Sequence, residues 1–186
     1  MIVDRVLQIA VVLLGVVILA IVAFAALQPK ATVVQLTDTS GDLIGSALLR
    51  EGSSGGTVIN VVAQSLTPGE HGIHIHEVGR CDPPDFESAG SHFNPFGTEH
   101  GLENPNGPHG GDMPNLVVGE NGSAVNYQTE ISAPLSGGED SLFGHPGGTA
   151  LVIHADRDDQ MSNPSGNSGA RIVCGVIAPE SVSDNF

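Results

Sequence analysis

From Ala31 onward the apolar residues fall at alternate positions in short runs, and no stretch shows the three-and-four spacing of an amphipathic helix. Residues 32–36, 43–50, 57–64 and 72–78 come at the even intervals of antiparallel strands, and 115–118, 124–131, 149–154 and 171–177 follow. Gly, Pro, Asn and Asp fill the gaps between them. Glu120-Asn121-Gly122-Ser123, between two runs, is a tight-turn signature that joins its flanks as a hairpin. The pattern therefore predicts an all-β domain of eight short strands, folded as a two-sheet sandwich or flattened barrel.

Two stretches break this rhythm. Residues 82–114 and 155–170 are rich in Gly, Pro, Asn and Asp and carry no strand pattern. Structureless loops of such length in a compact domain are functional or disordered. The first contains His92, His100, His109 and Asp112, which favours function.

The start of the chain is a different material. Ile9 to Leu27 is an apolar run with no charged or polar side chain. As a helix rising about 1.5 Å per residue it would be roughly 28 Å long, close to a bilayer's hydrocarbon thickness. A core helix of that length would carry polar positions on one face. Residues 1–30 are therefore expected to form a membrane anchor or signal segment, touching the bilayer through residues 6–27, and 31–186 the functional domain. Ala23-Phe24-Ala25 offers a small-x-small cleavage site, so removal as a signal is the alternative. The start, Met-Ile-Val-Asp-Arg, has no net positive charge, which favours retention. Either way the domain is expected outside the cytoplasm, at the cytoplasmic membrane if anchored and secreted or periplasmic if released.

Residues 1–30 hold Asp4, Arg5 and Lys30, a net +1, so the chain's formal −15 becomes −16 for the remainder. That remainder has no lysine and four arginines, Arg50, Arg80, Arg157 and Arg171. Such acidity keeps a domain soluble and repels nucleic acid and anionic lipid headgroups, which argues against both as partners of the domain. There are two cysteines, Cys81 and Cys174. In an exported domain a single disulfide is their natural pairing, a pair of metal thiolates the weaker alternative.

Chemistry concentrates in the histidines. His74-Ile75-His76 alternates as a strand does, so Ile73 and Ile75 face the core and both imidazoles share the outer wall. His154 ends a second apolar run. A nitrogen-only site on rigid strands suits copper. His92, His100 and His109 with Asp112 lie in the first long loop, and three histidines with one carboxylate suit a closed, four-coordinate zinc site. His92, nearest in sequence to the strand pair, is the candidate to serve both ions through its two ring nitrogens.

Together these residues resemble the copper/zinc superoxide dismutase family, in its bacterial extracytoplasmic branch. The likeness is carried by His71-Gly72-Ile73-His74-Ile75-His76-Glu77, Ala89-Gly90-Ser91-His92-Phe93-Asn94-Pro95 and His100-Gly101. With them go His109-Gly110-Gly111-Asp112, Leu151-Val152-Ile153-His154 and the run 166–177, in the family's order across residues 31–179. The resemblance implies a Greek-key barrel, one copper on His74, His76, His92 and His154, and one zinc on His92, His100, His109 and Asp112. It implies a Cys81–Cys174 disulfide, with Asp158 orienting ligands of both ions and Arg171 receiving the superoxide anion beside copper. His92 and Arg171 are then the catalytic residues, His71 packs structurally, and His145 carries no role. A homodimer is one arrangement the resemblance leaves open. One departure matters: without lysines, attraction of an anion falls to Arg171, with Arg157 as a second contributor.

The expected function is thus superoxide disproportionation to hydrogen peroxide and oxygen. A non-catalytic copper/zinc buffer on the same fold is the alternative, though a buffer would not need Arg171. A zinc-stabilised adhesion domain is a third reading, and it leaves His74, His76 and His154 without a role.

Overall fold

Alternation becomes pairing in the computed structural model, which describes residues 31–179. The expected anchor or signal segment and its cleavage site lie outside the described residues. Among the described residues, no helix is long and apolar enough to cross a membrane.

The described residues form nine strands: β1 (Ala31–Asp38), β2 (Leu43–Glu51), β3 (Thr57–Ala63), β4 (Gly69–His71), β5 (Ile73–His76), β6 (Leu116–Val118), β7 (Ala124–Ile131), β8 (Thr149–His154) and β9 (Arg171–Ala178). Seven make one antiparallel sheet in the order β5-β8-β9-β1-β2-β3-β7, and β4 pairs with β6. The result is an all-β antiparallel half-barrel. Inward positions on successive strands, such as Val34 and Leu36, Ala47 and Leu49, Ile59 and Val61, Ile73 and Ile75, Leu151 and Ile153, share one core. Each Val, Leu or Ile among them, taken from water, contributes about 1.5–3 kcal/mol.

The expected single strand at 72–78 is instead two, because the backbone leaves the sheet at Gly72. There it pairs with the second long loop, its N–H donating to Asp156 O at 2.8 Å while its carbonyl accepts from His154 N at 2.8 Å. A methyl group at Gly72 would lie 2.7 Å from Ser168 Cβ. This close approach fastens loop 155–170 to the strand that carries His74 and His76.

β8 is buried along its whole length. Leu151 and Ile153 face the barrel core. Ala150 and Val152 face the other way, into a smaller cluster with Phe86, Ala89 and Cys174. That cluster lies under the first long loop, which the Cys81–Cys174 disulfide fastens to β9. Barring one short 3₁₀ turn at Glu87–Ala89, residues 82–114 form no helix or strand, as expected. Their backbone docks along the edge of β5: Glu77 N donates to Ser91 O, Phe93 N to Ile75 O, and Ile75 N to Gly111 O, at 2.8–2.9 Å. Two isolated bridges, His74 with Asp112 and His76 with His92, complete this seam. The predicted outer wall of the histidine pair is therefore covered, leaving His74 and His76 buried.

Candidate metal centre

Four imidazoles meet at this seam. The nearest available ring nitrogens of His74, His76, His92 and His154 lie within 4.8 Å of one another. Strand periodicity delivers the first two, the end of β8 delivers His154, and the loop's docking on Ile75 and Glu77 delivers His92. Each ring is fixed by the bond its other nitrogen makes. His74 Nε2–H donates to Asp158 Oδ2 at 2.7 Å. His76 Nδ1–H donates to Gly90 O at 2.9 Å, and His154 Nδ1–H to Gly169 O at 3.1 Å. His92 Nδ1 lies 3.0 Å from Asp112 Oδ1.

The remaining nitrogens, His74 Nδ1, His76 Nε2, His92 Nε2 and His154 Nε2, are buried without a hydrogen-bond partner. A buried polar atom left unpaired costs about 1–3 kcal/mol. Four such atoms converging on one point are explained by a cation that takes all four lone pairs. Burial also holds the rings neutral and ready to coordinate. It brings His74 down to about 3, with the neighbouring His92 adding to the effect. Burial lowers His154 to about 4 and His76 well below the ordinary histidine value. All-nitrogen donation fits copper.

The second group forms around one oxygen. Asp112 Oδ1 is 3.0 Å from His92 Nδ1, 3.1 Å from His100 Nδ1 and 3.4 Å from His109 Nδ1. Asp112 Oδ2 is held by the backbone N–H groups of Gly101 and His109, at 2.9 and 3.0 Å, which aims Oδ1 inward. One carboxylate oxygen facing three imidazole nitrogens exceeds what its lone pairs accept as hydrogen bonds. A tetrahedral zinc with ligands at about 2.0–2.1 Å has ligand–ligand edges of about 3.3–3.4 Å, close to these separations. His92, His100, His109 and Asp112 therefore fit a zinc ion. His74 also lies within reach of this group, but its Nε2 is taken by Asp158 and its free Nδ1 belongs to the four-nitrogen cluster.

Asp158 ties the two groups together. Its Oδ2 accepts from His74, and its Oδ1 is 3.1 Å from His100 Nε2. The carboxylate is aligned by Gln160 N at 2.6 Å, and the Asp158 backbone by a reciprocal pair of bonds with Asn115 at 2.8 Å. Burial opposes its ionisation, but the bonds from His100 and His74 keep it well below the usual carboxylate range. For His100, burial works against the charge while Asp112 and Asp158 raise the ring to about 9.

A channel of about 530 Å³ opens onto His92 and His154, lined also by His109, Glu77 and Arg171. Arg171 Nη1–H donates to Phe86 O at 2.8 Å and Nη2–H to Gly90 O at 2.7 Å. Arg157, the other expected contributor, lines no channel wall and pairs with Glu70 at 2.7 Å. His71 stays outside both groups, its ring between the carbonyls of His154 and Thr67 at 2.7 and 2.8 Å. His145 packs edge-on against Phe93, with ring centroids 5.1 Å apart. Sequence reasoning missed the carbonyls of Gly90, Gly169 and Phe86 and the amide of Asn115. Carbonyls leave no side-chain signature.

This geometry can be set beside known proteins. Residues 43–177 match the family model described as copper/zinc superoxide dismutase. The chain is 46% identical over 160 residues to superoxide dismutase [Cu-Zn] 1 of Aquifex aeolicus, covering 83% of this chain and 92% of the relative. It is 49% identical over 148 residues to superoxide dismutase [Cu-Zn] 2 of the same organism, covering 77% and 84%. The crystal structure of a SOD-like protein from Bacillus subtilis superposes with a TM-score of 0.75 at 43% identity, covering 81% of this chain and 99% of that one. The two converging ligand groups and a likeness that spans the described domain lead to one conclusion: this chain belongs to the copper/zinc superoxide dismutase family.

Proposed function

We propose that this chain is a copper/zinc superoxide dismutase that converts superoxide to hydrogen peroxide and oxygen. The observation that carries the reading is the set of four buried, unpartnered ring nitrogens on His74, His76, His92 and His154, opened to solvent by a channel lined by Arg171. Family likeness alone is a weaker argument, since the matched Bacillus structure is named only as dismutase-like. His74, His76, His92 and His154 would hold copper; His92, His100, His109 and Asp112 would hold zinc.

Copper, when bound, supplies the one-electron redox change, which zinc lacks. The chain's residues do the rest. Arg171 offers guanidinium donors to an anion in the channel, its position fixed by the Phe86 and Gly90 carbonyls. His92, facing the first group with Nε2 and Asp112 with Nδ1, is placed to take up a proton at Nε2 and give it back. Asp158, bonded to His74 and His100, keeps both rings oriented.

Counting β4 and β5 as one bent strand, the half-barrel closes as an eight-stranded Greek-key sandwich over 31–186. The apolar run 9–27 anchors it at the extracytoplasmic face of the membrane. A homodimer is favoured by the exposed apolar side chains Val33, Leu48 and Val62, because copies of so acidic a domain meet most readily through uncharged surface. Sedimentation tests the dimer, and membrane fractionation tests the anchor.

The central test loads the protein with copper and zinc and follows superoxide removal beside a His92→Ala variant. Rapid removal by the wild type, lost in the variant, is expected. A fully loaded but inactive wild type would establish the buffer reading instead.

A further inference from the structure

The channel adjoins an acidic cavity. Arg171 also borders a second cavity of about 600 Å³, which shares Ser91, Gly169 and Arg171 with the channel and is lined by Asp85 and Glu87. Those two carboxylates are placed there by the residue between them. Phe86 is buried in the cluster under the loop, with Ala89, Val152 and Cys174, and takes a left-handed backbone at φ 55°. With Phe86 turned inward and its carbonyl given to Arg171, its neighbours on both sides are left exposed at the rim. Their charges act on the Arg171 guanidinium. Deeper in, Glu77 lines the channel itself. Among the described residues Arg171 is the cation that lines both cavities against these three carboxylates, while Arg80 is paired with Asp82 and Arg157 with Glu70.

We propose that Asp85 and Glu87, in the cavity that meets the channel at Arg171, form a charge filter, which slows small anions on their way to His92 and His154 and speeds the entry of metal cations. The inference rests on the reading of the first group as a copper site, and it concerns approach rather than chemistry. A field fixed at a narrow entrance acts on whatever charge passes through it, with opposite sign for cation and anion. At about 8 Å in water, each carboxylate changes the local concentration of a unit charge on the order of two- to threefold, and more for a divalent cation.

The test uses the full chain, the double variant Asp85→Asn/Glu87→Gln, and a control, Glu120→Gln/Asp140→Asn, that removes two charges elsewhere. Three quantities are measured at low and high ionic strength: the rate of cupric ion uptake by metal-free protein, the affinity of the copper-loaded protein for azide, and superoxide removal. At low salt the rim variant is expected to load copper several-fold more slowly, and to bind azide and consume superoxide several-fold better. The control should stay close to wild type. In 1 M salt, where charges are screened beyond about 3 Å, the three proteins should converge.

Opposed movement of cation and anion is something a merely structural effect would not produce. Rates that move together, or a rim variant no different from the control, overturn the filter. Loaded protein that binds azide as expected but does not turn over sinks only the dismutase reading. Failure of the wild type to take up copper removes both.

Discussion

At the scale of single residues, the centre depends on groups that orient ligands as much as on the ligands. Asp158 is the clearest case, since one carboxylate serves rings of both groups. Asp158→Asn keeps the shape but presents N–H donors to at least one of those rings. It is expected to weaken metal binding by about 10- to 100-fold, read by competition against a chromophoric chelator. Gly166→Ala should act in the same direction without deleting any polar group. Gly166 has φ 62°, and a methyl there falls on the Asp158 carboxylate and lies 2.8 Å from His100 Nε2. Unchanged affinity in both variants would show that the carboxylate does not set ring orientation.

The buried rings also set a pH dependence for the metal-free protein. His74 and His154 are brought to about 3 and about 4 in the fold, against roughly 6.5 in an unfolded chain. Below 6.5 the unfolded chain binds protons that the folded one refuses, so stability falls as pH drops from about 6.5 toward 4. His100, raised to about 9, works the other way, lending stability that fades as pH climbs from 6.5 through 9. Melting temperatures in chelator should therefore peak near neutrality. A flat profile between pH 4 and 7 would mean that these rings are not held neutral by burial.

Among the elements, strands were readable and their interruptions were not. β7 and β8 begin and end where alternation places them, because each is bounded by turn residues and has an apolar face to bury. Gly72 looked like the first residue of a strand, yet its backbone bonds run to Asp156 and His154 across the loop. No periodicity reports a bond to a segment 80 residues away. The residues that gather in the two groups stood out in the sequence because histidine and aspartate are chemically pointed choices. The path of loop 82–114 was not, since Ser91, Phe93 and Gly111 dock through backbone atoms that every residue has.

That loop is fastened by a covalent tie with a sequence separation of 93. Closing a loop of this size contributes about 4–5 kcal/mol in the chain-entropy model. The Cys81→Ser/Cys174→Ser variant should melt roughly 10–15 °C lower, at a few degrees per kcal/mol for a domain of this size. The loop also carries the Phe86 and Gly90 carbonyls that hold Arg171. Copper affinity should then fall less than azide affinity, because strands supply three of the four copper-group histidines. Equal loss of both would mean that the loop shapes the metal group itself.

For the whole molecule the deciding quantity is charge. A domain at −16 repels itself, and metal-free it gathers Asp112, Asp158 and six imidazoles, five of them buried, around sites whose lone pairs face one another. Two divalent cations answer both costs at once: they offset part of the net charge and take the lone pairs. Metal binding should therefore be a main source of stability and not an addition to it. Free zinc at a thousand times its dissociation constant adds about 4 kcal/mol, equivalent to roughly 10–15 °C in melting temperature. Calorimetry of the chelator-treated protein, before and after zinc is restored, measures this directly. Raising salt should recover some of the loss in the metal-free form, by screening surface repulsion, and little in the loaded form. Equal melting with and without metal would mean that strand packing alone orders the long loop, and that the facing nitrogens cost the fold nothing.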